Sequence, residues 1–212
     1  MTNLAKVSNI YKSSAVVGFW TLCSRVMGFI RDILFASILG SGAVADAFLL
    51  AFRIPNLFRK FFAEGAFSAA FIPLLTEKNE KYGLQAGVAF TSNIASLLLF
   101  IVIPLIILSE FFMPSIVNFI APGFINDIER LELAIPYARI VFPYLVFIIF
   151  TALFASALNT SGRFWSGAAA PVILNVFLII ALIISIYFDK DTGIIMCWAV
   201  LLAGVFQMLL LA

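Results

Sequence analysis

Residues 24–64 read SRVMGFIRDILFASILGSGAVADAFLLAFRIPNLFRKFFAE, two apolar runs either side of Gly40-Ser41-Gly42. Set among the apolar residues are Arg25, Arg31, Asp32, Asp46, Arg53, Arg59, Lys60 and Glu64. A charge at the centre of a bilayer helix costs about 2.5–3.5 kcal/mol on insertion scales. Charges this dense in two neighbouring segments must share a polar interior instead of facing lipid. Base exceeds acid, so that interior attracts anions.

Outward from this stretch the chain stays oily. Of its 212 residues 64% are hydrophobic and 11% charged, and the mean hydropathy is +1.14. Soluble domains are about 45–50% apolar and about 25% charged, so the chain is an integral membrane protein. A net charge of +2 and scattered basic residues leave no footprint for nucleic acid. The absence of histidine excludes most metal sites and histidine-based triads. Cys23 and Cys197 lie in apolar runs and read as buried, reduced thiols, too isolated for a metal cluster. No metal, no cofactor and no catalytic group is expected. The first apolar stretch holds Arg25 and Arg31 and lacks a small-residue cleavage site, so it reads as a retained helix and not a cleaved signal.

A span needs about 20 mainly apolar residues. The pattern predicts an all-α membrane fold, a single transmembrane domain over 1–212. Its six transmembrane helices fall at 13–39, 43–75, 84–109, 131–158, 165–188 and 192–212. Breaks come at Gly40-Ser41-Gly42, Glu77 to Gly83, Ala121-Pro122-Gly123, Asn159 to Gly162 and Asp189 to Gly193. The second segment reaches about 50 Å at the helical rise, too long for one straight span. Pro55 is expected to kink it, with Gly65 to Pro73 as a candidate interfacial piece. Pro136 and Pro143 should bend the fourth segment and Pro171 the fifth.

Loop charges predict the orientation. Lys6, Lys12, Lys78, Lys81 and Arg163 fall in the tail, second loop and fourth loop. The third and fifth loops carry Arg130 and Lys190 against Glu110, Asp127, Glu129, Asp189 and Asp191. Lysine and arginine favour the cytoplasmic side, so both termini are expected there. Arg25 then lies about 18 Å up helix one and Arg53 about 15 Å down helix two, both near mid-membrane. Arg31, Asp32 and Asp46 fall nearer the outer face, and Arg59, Lys60 and Glu64 nearer the inner mouth.

Arg25 and Asp32 are seven residues apart, as are Asp46, Arg53 and Lys60, so each set shares a helix face, which Asn56 joins. Arginine suits a phosphate-holding cavity, because its planar donors bind anionic oxygens bidentately and it stays charged when partly desolvated. The plainer alternative is helix packing through satisfied pairs, Arg25 with Asp32 and Asp46 with Arg53. The surplus of bases counts against it, and snorkelling accounts for Lys60 but not for Arg25 or Arg53. Arg139 either extends the basic lining or reaches the outer interface. Asn159 and Asn175 read as interhelical hydrogen bonds, and Gly83 with Gly87 as a helix-packing GxxxG.

The same residues resemble a known family. Residues 24–32 (SRVMGFIRD) resemble the opening helix of the MurJ (MviN-type) lipid II flippases. Residues 46–48 (DAF), 53–60 (RIPNLFRK) and 62–68 (FAEGAFS) look like that family's second helix. Ala121-Pro122-Gly123-Phe124 and Phe142-Pro143-Tyr144 match as well. The resemblance implies a MATE-like, two-lobe transporter of the MOP superfamily, in a bacterial cytoplasmic (inner) membrane. It would move a polyprenyl-diphosphate-linked sugar, lipid II, from inner to outer leaflet for peptidoglycan synthesis. The family's essential cavity arginines correspond to Arg25, Arg31 and Arg59; Asp32, Asp46, Arg53, Asn56 and Glu64 match its gate and portal, with Lys60 beside them.

One departure is large. Such transporters have fourteen helices, so this chain matches their N-terminal lobe only, and its expected partners include the missing C-terminal lobe or a second subunit besides lipid II and membrane lipids. Competing expectations are an exporter of other anionic lipids or drugs, and a non-transporting membrane subunit or fragment. A membrane phospho- or glycosyltransferase would need paired metal-binding carboxylates within the membrane, and the sequence has none there.

Overall fold

The computed structural model describes residues 3–64, 66–188 and 191–212, with side chains over 14–62, 67–187 and 191–212. It is all-α. In chain order the helices are α1 (Asn3–Leu39), α2 (Ala43–Arg59), α3 (Ala66–Tyr82), α4 (Leu84–Ile120), α5 (Ile128–Val141), α6 (Tyr144–Thr160), α7 (Trp165–Phe188) and α8 (Thr192–Leu211). A π turn, Lys60–Glu64, joins α2 to α3, and a 3-10 turn, Pro122–Asn126, precedes α5.

Three of these helices, α4, α7 and α8, are long and apolar enough to cross a membrane; α5 and α6, bent by 40° at their junction, make a fourth if taken as one span. That standard counts length, hydropathy and charge. α1, which carries Arg25, Arg31 and Asp32, is not among the helices that meet it.

The interruption in the second segment lies past Pro55. α2 passes through the proline to Arg59, and the Lys60 N–H still reaches the Asn56 and Leu57 carbonyls. The π turn then inserts its extra residue, so the faces of α2 and α3 do not continue one another. In the fourth segment α5 continues as helix through Pro136, and the break falls at Phe142-Pro143.

α4 extends eleven residues past the expected end at 109, because Met113 and Val117 are buried in the main core and hold the added turns. Glu110 therefore sits inside a helix and not in a loop. Pro104 and Pro114 are both accommodated within α4, as neighbouring helices in membrane bundles permit.

The main core is built from α2, α4, α5, α6, α7 and α8 around Tyr137, Tyr144, Leu145, Ile149, Leu178, Leu182 and Met196. Close approaches lock it. A Cβ on Gly204 would run into the Tyr144 ring, and one on Gly193 into Tyr137. Gln207, 1% exposed, donates to the Ala170 carbonyl at 2.6 Å and accepts from the Tyr144 hydroxyl at 3.2 Å, tying α8 to α7 and α6. A smaller cluster around Phe71, Leu75 and Leu153 joins α3 to α4 and α6. Here the GxxxG pair divides its work: Gly87 admits Asn79 and Leu75 where a side chain would clash, while Gly83 turns the chain at φ +83°. α1 packs chiefly on α7 and meets the core near its C-terminal end, where Leu34, Phe35, Ile38 and Leu39 lie against it and the Phe35 ring is 5.9 Å from that of Phe48.

Cys197 is buried and Cys23 partly exposed, and both are free thiols.

Candidate functional site

The α1 charges are organised around Arg31. Its Nε and Nη2 donate to one oxygen of Asp32, at 3.0 and 2.7 Å, and its Nη1 donates at 2.8 Å to Oδ1 of Asn175 on α7. Asn175 in turn donates from Nδ2 to the Ser24 carbonyl at 3.0 Å. The Arg31 side chain is 26% exposed and that of Asp32 67%. Arg25, two turns earlier, is exposed, and among the described residues it has no hydrogen-bond or ion-pair partner.

On α2, Arg53 is likewise exposed and without such a partner among the described residues. Arg59 is half-buried and donates from Nε to Asn56 Oδ1 at 3.1 Å, one turn back on the same helix. Lys60, exposed, opens the π turn. Glu64 closes that turn, and its side chain lies outside the described residues.

Asp46, in the first turn of α2, pairs with Arg130 of α5 at 2.9 Å. Arg130 also binds Asp127, the residue that caps α5 by accepting the Arg130 backbone N–H at 3.2 Å. This hydrogen bond and the one from the Arg130 side chain hold the Asp127 carboxyl below its ordinary pKa.

The pairs Arg25–Asp32 and Asp46–Arg53 do not form. Seven residues of helix separate their backbones by about 10 Å, so residues on one face at that spacing do not touch; ion pairs form at closer positions or between helices. Asp32 takes its sequence neighbour, and Asp46 takes a partner 84 residues away. Arg130 was the residue the loop assignment hid. Asp127 followed by an apolar-periodic segment is a helix N-cap signal and would have placed Arg130 on a helix. Arg139 is half-exposed and lies 4.0 Å from Glu110 of α4, whose other carboxylate oxygen is buried without a hydrogen-bond partner.

Five of the expected site residues thus fall in three groups, Arg31 with Asp32 and also Asn175, Arg59 with Asn56, and Asp46 with Arg130. No hydrogen bond or ion pair among the described residues joins the α1 charges to those of α2. Each helix has its own support, α1 from α7 and α2 from α5, α6 and α8. Guanidinium groups left with open donors on two such helices are chemically fit to bind an anion with several oxygens.

Comparison with known proteins places this geometry in context. The family model described as "Lipid II flippase MurJ" matches residues 35–212. A protein of Rhizobium tropici named probable lipid II flippase MurJ is 41% identical over 204 residues, covering 94% of this chain and 38% of its own length. One from Buchnera aphidicola subsp. Baizongia pistaciae, of the same name, is 40% identical over 202 residues, covering 95% and 39%. The lipid II flippase MurJ of Burkholderia cenocepacia is 38% identical over 201 residues, with the same coverage. A solved structure titled lipid II flippase MurJ, inward closed conformation, superposes with a TM-score of 0.80 at 31% identity, covering 93% of this chain and 41% of that one. The chain spans about two-fifths of the length of the relatives it matches.

Proposed function

The chain belongs to the MurJ family of lipid II flippases, and from that membership we propose that it forms the first lobe of a transporter for a polyprenyl-diphosphate-linked sugar. In this reading the lobe is MATE-like and crosses a bacterial inner membrane six times, with its N-terminus in the cytoplasm. Its complement is a second lobe of the kind that the longer relatives have room for. The relatives are named as flippases, which are transporters and not enzymes.

One observation carries the substrate assignment: Arg25 and Arg53 stand exposed and unpartnered, among the described residues, on helices whose other residues are mostly apolar. A cation kept so in a bilayer needs an anion to meet it. The diphosphate enters from the cytoplasmic side, with Lys60 and Glu64 at the mouth, and Asn56 orients Arg59. Arg25, Arg31, Arg53 and Arg59 hold the diphosphate while the polyprenyl tail stays in the bilayer. Rocking of the two lobes then turns the cavity outward. Asp32 and Asp46 serve the outer gate, and the bond from Asp46 to Arg130 is one that gate movement would exchange.

Translocation of lipid II by the full-length gene product in proteoliposomes tests this. Arg25→Ala and Arg59→Ala are each expected to lower the rate at least tenfold, with unchanged amounts of inserted protein. Unchanged rates would sink the mechanism. Equal binding of lipid II and a plain anionic phospholipid would favour the exporter of other anionic lipids.

A further inference from the structure

Asn175 is 5% exposed, sits on α7 among apolar residues, and spends both ends of its amide on α1. The orientation of that amide follows from its partners. A guanidinium can only donate and a main-chain carbonyl can only accept, so the Asn175 oxygen must face Arg31 and its nitrogen must face Ser24. Gly28 lies beside this contact: a Cβ there would come to 3.6 Å from Nδ2, an ordinary van der Waals distance.

The amide is therefore a rigid bridge from the α1 backbone to the Arg31 guanidinium. Asp32 takes the Nε and Nη2 side of the fork and Asn175 takes Nη1, which fixes the guanidinium plane. Further Nη donors stay unengaged among the described residues. A carboxylate at position 175 would bind Arg31 but offset more of its charge, and its second oxygen would face the Ser24 carbonyl with no proton to donate. A neutral amide holds the cation and leaves its charge for an incoming anion.

We propose that Asn175 is a positioning residue, which sets the plane of the Arg31 fork so that its open donors meet two oxygens of a diphosphate. This rests on the diphosphate-lipid reading of the site and deepens it. Arg31 supplies the charge; Asn175 supplies discrimination between a diphosphate and a monophosphate, because only a fixed fork rewards the second phosphate's geometry.

The experiment measures binding of undecaprenyl diphosphate and undecaprenyl monophosphate to the full chain in nanodiscs, alongside its thermal unfolding. The wild type should prefer the diphosphate. Asn175→Leu, similar in shape but without polar atoms, should weaken diphosphate binding about tenfold, the scale of one hydrogen bond to a charged group, and monophosphate binding less than about twofold. Arg31→Lys keeps the charge and loses the fork, so adding Asn175→Leu to it should change nothing further. Asn175→Asp restores the acceptor for Arg31 but not the donor to Ser24, so it should recover part of the preference that Leu loses, at lower affinity for both lipids.

Asn175→Leu retaining the preference, or Asp recovering no more of it than Leu, overturns the assignment. Equal loss for both lipids with a lowered unfolding midpoint overturns it too, since that marks a purely structural role. If Arg31→Lys abolishes the preference and Asn175→Leu does not, only this assignment falls. A wild-type chain without any preference brings down the diphosphate reading and this assignment together.

Discussion

At the scale of single residues, every charge with a partner in the site has it by a short side-chain reach, and the partner decides what is left for a ligand. Arg31 is held by an amide and by one carboxylate, that of Asp32, 67% exposed, so it is less neutralised than a guanidinium between two carboxylates. Arg130 is held by two carboxylates, Asp46 and Asp127, and has little left to offer an anion. Its work is to clasp α2 to α5. The lowered Asp127 pKa gives this clasp a pH signature. A carboxyl with a depressed folded-state pKa adds stability above its unfolded value, near 4, and loses it as pH falls through the lower folded value. Thermal unfolding followed from pH 7 downward should therefore show no loss from this group until below about pH 4. Asp127→Ala should lower the midpoint at pH 7 and flatten that acid dependence, whereas a variant with an unchanged acid limb would mean that Asp127 does not cap α5.

At the scale of helices, close backbone approach outweighs polar contact, and magnitudes rank the two. Interhelical hydrogen bonds in membrane proteins average about 0.6 kcal/mol and reach about 1.7, while overpacking a tight core costs about 1–3 kcal/mol or more. Gln207→Leu should therefore destabilise by about 1 kcal/mol, whereas Gly204→Val, driven into the Tyr144 ring, should cost more, toward the upper end of about 1–3 kcal/mol. Unfolding in mixed micelles checks the order, and a larger effect at Gln207 would reverse the ranking. The same distinction explains what was legible beforehand. Hydropathy and breaker residues place α7 at Trp165–Phe188 as expected, because lipid-length apolar runs announce themselves. They miss the last turns of α4, since Glu110 and Pro114 look like a loop and only the burial of Met113 and Val117 makes them helix. The site divides likewise. Charges in an oily stretch identify Arg31 and Asp46 as candidates, but each has a partner on another helix, and no local pattern shows that Asn175 will arrive beside Arg31 or Arg130 beside Asp46.

At the scale of the whole molecule, the proposed topology puts the 3-10 turn at Pro122–Asn126 outside and the turn after α6 inside. In a variant with Cys23→Ala and Cys197→Ala, a cysteine at Gly123 should react with a membrane-impermeant maleimide added to intact cells. One at Ser161 should react only after the cells are opened. The reverse pattern would invert the lobe. The packing of α1 chiefly on α7 sets a different kind of constraint, one of timing. Arg31 and Asn175 are 144 residues apart, and a ribosome adding about 5–20 residues per second needs about 7–30 s to make the second after the first. For that interval the first helix of the lobe is already in the insertion machinery, with its charges present and the amide that will hold them not yet made. The residues proposed to make α1 useful for binding an anion are therefore made well before the amide that holds one of them, Arg31.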